Sequence, residues 1–207
     1  MTSKLLVPAA LALAVSLSSC VSLLPKAKPV QTYSFQSTEA VAGAKAPTVT
    51  VLRAPTSFPR AAANDRIYTR TGTEAAYVEG ARWSAPAQTL FDEALAAAFD
   101  AGTVRLATRG EVGPSDAILR VEVRTFAAVY KDGQGSAPTA VVEARASLTS
   151  LQDRDLVAAQ LFRAEKPAAD NRVGAIVDAY DGAVRDVQSQ IVAWTTANVK
   201  PTPKPNP

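Results

Sequence analysis

The sequence predicts an α+β fold, a single domain in which a largely antiparallel sheet packs with two principal helices. Leu119, Val121 and Val123 alternate with Arg120, Glu122 and Arg124, and Val142, Ala144, Ala146 and Leu148 repeat that alternation. A period of two marks strands with one buried and one wet face. Residues 156–164 return directly after the polar turn 152–155 as a hairpin partner, and strands joined by short turns argue for an antiparallel meander. Two other stretches carry apolar residues at helical spacing. One holds Leu90, Phe91, Ala94, Leu95, Ala98 and Phe99, and the other runs from Val173 through Val177, Tyr180, Val184, Val187 and Ile191 to Trp194.

The amino-terminal residues carry the sharpest local signal. Lys4 gives a short positive region, residues 5–15 form an uncharged apolar stretch, and Ser18 and Ser19 lead into Cys20. A charged start, a short apolar core and a small-residue exit are the parts of a secretory signal peptide, expected here over residues 1–19. The apolar run falls short of the roughly 20 residues that cross a bilayer. Leu17-Ser18-Ser19-Cys20 resembles the bacterial lipobox, in which the cysteine sulfur takes a diacylglycerol and its freed α-amine a further acyl chain such as palmitate. A single chain holds only marginally at about 0.8 kcal/mol per buried methylene, so two or three make a lasting anchor. Cys20 is the only cysteine, and an internal disulfide is therefore impossible. Residues 20–30, with Pro25, Lys26, Lys28 and Pro29, read as the lipidated start and an extended tether. Val21 stands where an aspartate would favour inner-membrane retention in some bacteria, which points to the outer membrane, facing the periplasm, with the inner membrane as the other choice.

The domain is expected over residues 31–197. It opens with strand candidates at 31–36, 48–53, 65–70 and 75–79, with Thr71-Gly72 as the turn between the last two. Ser84 is the expected cap of the first helix, Pro86 lies in its first turn, and Gly102 ends it in the left-handed position. Gly174 and Gly182 weaken the second helix, so packing must hold it. From Asn198 onward, Pro201, Pro203, Pro205 and Pro207 predict a disordered or polyproline tail over 198–207.

Charge and residue types exclude several functions. The pI of about 9.1 invites a nucleic-acid reading. Residues 61–197, however, hold 14 basic and 18 acidic side chains, and the excess of positive charge lies in the flanks. A nucleic-acid binder concentrates it on the folded face instead. The chain has no histidine, and its one thiol is expected to be acylated, so no Ser-His-Asp, Cys-His or His/Cys zinc site is available. Gly133 and Gly135 lack the Lys-Ser/Thr of a phosphate loop. The carboxylate pairs Asp92/Glu93 and Asp153/Asp155 read as solvated charge on a helix and in a turn. No catalytic residue, metal ligand or cofactor is expected beyond the lipid on Cys20. Among the few aromatic residues, Phe126 shares the outward parity of Arg120, Glu122 and Arg124, and with Tyr130 it is the candidate contact for a partner.

Beyond the lipobox, Tyr33-Ser34-Phe35, Val51-Leu52-Arg53, Asp65-Arg66-Ile67-Tyr68 and Ala81-Arg82-Trp83 precede the first helix. Leu119-Arg120-Val121, Phe126, Val129-Tyr130 and Ala193-Trp194 come after it. In order and spacing the chain resembles the ABC-type transport auxiliary lipoproteins, which include the paraquat-inducible protein C type. The resemblance implies a non-catalytic component working beside an ABC permease, its ATPase and a periplasmic MCE-domain protein that carries lipids between membranes. It also implies a homo-oligomer, such as a ring, as one arrangement. The competing reading is an envelope lipoprotein that regulates a peptidoglycan synthase by direct binding.

Overall fold

The computed structural model describes residues 29–36, 47, 49–108, 110–111 and 115–201. The expected signal peptide, Cys20, most of the tether and residues 202–207 of the tail lie outside the described residues. The elements run β1 (Gln31–Tyr33), β2 (Val49–Arg53), β3 (Arg66–Thr71), β4 (Glu74–Trp83), α1 (Ala87–Asp100), β5 (Val104–Ala107), β6 (Ala117–Tyr130), β7 (Thr139–Ser150), β8 (Leu156–Pro167) and α2 (Val173–Asn198).

All the strands join one sheet of α+β type. The meander β6-β7-β8 and the hairpin β3-β4 are antiparallel, as the short connections imply. Four further pairings are parallel, β1 with β4, β2 with β5, and β6 with both β2 and β3, so the sheet is mixed. Parallel neighbours need crossovers, and local sequence patterns do not reveal them. β6 is the axis. One side pairs along its length with β7, while the other is shared between two strands. β2 meets its start at Arg53↔Leu119, β3 meets its end at Thr69↔Ala128, and a single bridge at Ser57↔Glu122 lies between them.

Both helices cover one face. α2 lies across β7 and β8, and α1 packs against α2 and β5. Alternation on β6 holds as expected through its first half: Leu119, Val121 and Val123 are buried, while Arg120 and Arg124 face water. Between Val123 and Thr125 the register slips, because Val123 faces Ala144 while Thr125 faces Glu143. Arg124 is therefore the extra residue of a β-bulge, and every side chain beyond it changes face. Phe126, expected outside by simple parity, is 2% exposed and packs in the core. It is not a surface contact.

Around Phe126 the core is aromatic. Its ring lies 4.9 Å from Tyr180, 5.1 Å from Phe58 and 6.1 Å from Phe35, centroid to centroid, with Trp83 at 6.4 Å. Tyr180, fully buried on α2, keeps its hydroxyl satisfied by donating to Tyr68 O at 2.5 Å. Burial raises its pKa far beyond the tyrosine range. The stripe expected on α2 faces this core at Val177, Tyr180, Val184, Val187 and Ile191. Two polar residues are buried with it. Gln188 Nε2 donates to Phe91 O at 2.9 Å, tying α2 to α1, and Asp181 accepts from the Gln36 amide at 2.9 Å and pairs with Arg185.

Several boundaries differ from expectation. α1 starts at Ala87 after Pro86, no side chain caps it, and the Ser84 amide instead donates to Tyr33 O of β1. Gly102 comes after α1 without a left-handed φ. A Cβ there would stand 3.3 Å from Phe99 O, so the tight contact is with the last turn of α1 itself, while Val192 of α2 at 3.7 Å is at ordinary van der Waals distance. The β3–β4 turn centres one residue later than expected, with Gly72 at φ +56°. β4 continues past Glu79 to Trp83 through a bulge at Gly80, φ +70°, which returns Ala81 and Trp83 to the core. β5 has no counterpart among the expected strands, because Val-Arg-Leu-Ala is too short for its alternation to stand out.

Candidate functional site

With the helices on one face, the opposite face of β6-β7-β8 is open and carries mixed charge. Arg163 lies 2.9 Å from Glu143 and 2.6 Å from Glu165, Lys131 reaches Glu165 at 3.1 Å, and Arg124 reaches Glu122 at 3.4 Å. Arg163 and Lys131 hold the Glu165 carboxyl below its ordinary pKa. Exposed pairs of this kind contribute about 0–1 kcal/mol each, so the ladder shapes the surface potential more than it stabilises the fold.

Tyr130 sits at the rim of this face. Its half-buried hydroxyl donates to Asn171 Oδ1 at 2.8 Å, and Asn171 Nδ2 donates to Gln134 O at 2.7 Å. The network fastens the β6–β7 loop to the loop before α2, and partial burial raises the Tyr130 pKa. The two expected contact residues therefore part company: Phe126 lies in the core and Tyr130 at the surface.

The other expected groups are also placed by their partners. Asp92 lies 2.8 Å from Arg53 Nη1 and accepts from Thr56 Oγ1 at 2.5 Å, while Glu93 is exposed on the same helix. Asp153 and Asp155 are exposed in the β7–β8 turn. Among the described residues no three acidic, histidine or cysteine side chains gather as a metal site. No helix among them is long and apolar enough to cross a membrane.

One surface feature was not foreseen from the sequence. β8 pairs only with β7, which leaves it an edge strand, and it exposes Leu156 at 64% and Leu161 at 45%. The signal was present in adjacent Leu161 and Phe162, since successive strand residues face opposite ways and Phe162 is taken by the core. A shallow cleft of about 420 Å³ adjoins this edge, between the β7–β8 turn and the end of α2, lined by Asp116, Leu148, Ser150, Val157 and Asn198 among others.

Comparison with known proteins gives this architecture a family. Residues 32–192 match the family described as ABC-type transport auxiliary lipoprotein component. No curated protein sequence matches significantly. Among solved structures, a Xanthomonas campestris protein of the DUF330 family superposes with a TM-score of 0.69 at 25% identity, covering 81% of this chain and 96% of its own. A second structure, described only as an uncharacterized protein, gives a TM-score of 0.63 at 14% identity over 80% of this chain and 98% of its own. The match spans β1 through most of α2, the whole sheet with both helices, and the chain belongs to the ABC-type transport auxiliary lipoprotein component family.

Proposed function

We propose that the protein is a non-catalytic docking component of an ABC/MCE-type system that moves lipids between membranes. It is held in the outer membrane, facing the periplasm, by a diacylglycerol and an acyl chain on Cys20. The family match over residues 32–192 carries this reading. The position of the fold relative to the cysteine supports it. Pairing begins at Gln31, so residues 21–30 are the whole spacer. Extended at about 3.1 Å per residue they reach roughly 30 Å, which keeps the domain beside its membrane. A regulator that must cross the peptidoglycan mesh needs a longer tether. The open charged face, with Tyr130 at its rim, is the surface offered to the MCE-domain partner.

The test is a mild-detergent pull-down of the native lipoprotein from its own envelope, with the co-purifying proteins identified by mass spectrometry. An MCE-domain protein together with ABC subunits is the expected catch. A penicillin-binding protein without them would replace this reading by regulation of cell-wall synthesis. Cys20→Ser should abolish lipid labelling and leave the precursor unprocessed, and a processed, soluble mutant would refute the anchor.

A further inference from the structure

At the carboxyl end of β2 the sheet divides, and a cleft of about 400 Å³ opens there. β2 runs parallel to β5 on one side and to the start of β6 on the other. Past Arg53 the chain leaves β2, and the neighbouring length of β6 is held by three backbone bonds, Ala54 N to Leu119 O at 2.9 Å, Ser57 N to Val121 O at 3.0 Å and Val123 N to Ser57 O at 2.8 Å. In open α/β sheets ligands enter crevices outside the carboxyl ends of parallel strands, and β5, β2 and the start of β6 are parallel neighbours here. The volume suits a small molecule.

The lining is divided by chemistry. Leu52, Pro55 and Ile118 give an apolar wall, and Arg53, Arg120 and Asp92 bring charge. Asp92 is already matched by Arg53 and by the Thr56 hydroxyl, and Gln88 Nε2 is spent on Thr56 O at 2.9 Å. One free cation remains, because Arg53 Nη1 is closed off from solvent against Asp92 at 2.8 Å. Arg120 is exposed and has no acidic partner among the described residues. The cleft thus holds one net positive charge, the Arg120 guanidinium, beside an apolar wall. Arg53 is braced from α1, so the site is formed before anything enters it.

We propose that this cleft binds an anionic group, a phosphate or carboxylate, carried on a small apolar body. Arg120 takes the anion, and Leu52, Pro55 and Ile118 take the apolar part. The proposal stands on this geometry and does not rest on the transport reading. Such an anion could belong to a membrane lipid or to a free metabolite, and the two are separated by experiment.

The full chain in non-ionic detergent is titrated calorimetrically with inorganic phosphate, butyl phosphate, dihexanoyl phosphatidate and dihexanoyl phosphatidylcholine. Protein-free micelles of the same detergent are the reference for partitioning. Saturable binding of butyl phosphate is expected, tighter than inorganic phosphate and weakened about tenfold by Arg120→Gln, as the loss of a charge-assisted contact requires. Leu52→Ser should weaken butyl phosphate and leave inorganic phosphate unchanged. Phosphatidate binding more tightly than butyl phosphate assigns the site to a lipid head group, and equal affinity assigns it to a soluble anion. Absence of saturable binding at millimolar concentration, or binding indifferent to Arg120→Gln in a variant with unchanged melting, overturns the proposal. So does phosphatidylcholine binding as well as phosphatidate.

Discussion

Replacing Phe126 by alanine tests the feature on which the fold turns. Its ring is 2% exposed and sits within 6.4 Å of four other aromatic rings, two of them brought by the segments around β1 and β4 and one by α2. A buried phenylalanine cut to alanine costs about 3–5 kcal/mol, partly in lost transfer energy and partly in the cavity left behind. Each aromatic pair contributes about 0.5–1.5 kcal/mol beyond area, which places this site at the upper end. For a domain of this size a kcal/mol shifts the melting temperature by about 2–4 °C, so a drop of about 10 °C or more is expected. Urea and thermal unfolding followed by tryptophan fluorescence, with Trp83 reporting from inside the cluster, measure it. Tyr130→Phe is the companion, expected to cost about 0.5–1.5 kcal/mol through one hydrogen bond. A loss under about 1 kcal/mol for Phe126→Ala would place the ring on the surface, where unbroken alternation puts it, and would refute the bulge.

Deleting Arg124 should leave a cooperatively folding protein. The β6–β7 ladder then closes without a slip and Phe126 stays inside, whereas deleting Glu122 closes it with Val123 facing water and Arg124 turned onto the core opposite Ala144, and should lower the melting temperature far more. Gly80→Ala should cost about 1–2 kcal/mol in chemical denaturation, because its φ of +70° is left-handed although no atom would meet the new Cβ. Gln188→Ala should cost about 1–3 kcal/mol by removing a buried donor that joins the helices. Glu165→Gln addresses pH. The native pKa of Glu165 is depressed, so its contribution is present above the unfolded glutamate value of about 4.3 and fades as pH falls through the native one. Wild type should therefore exceed the variant by under about 1 kcal/mol at pH 7, and the two should converge as pH falls below the depressed native pKa, as urea curves across the acid range would show.

What was legible in the sequence was whatever repeats over several residues. Six apolar positions on α1 and seven on α2 declared both helices, and the pairing of β7 with β8 came from two alternating runs and a polar turn. What was hidden depends on partners distant in the chain. No residue in Val49–Arg53 or Arg66–Thr71 says that both strands will lie along the same side of β6, because parallel pairing is decided by the crossovers and the packing they permit. The misplacement of Phe126 has the same origin. Alternation counts residues along one strand, while a bulge is set between two. β6 must satisfy a continuous partner on one side and two separate strands on the other, and the slip at Arg124 lies between the end of β2 pairing at Leu119 and the start of β3 pairing at Ala128. A bulge adds local twist, which lets one strand serve two neighbours that diverge. The slip turns Phe126 onto the aromatic core, so the one irregular residue of β6 decides which of the side chains after it are buried.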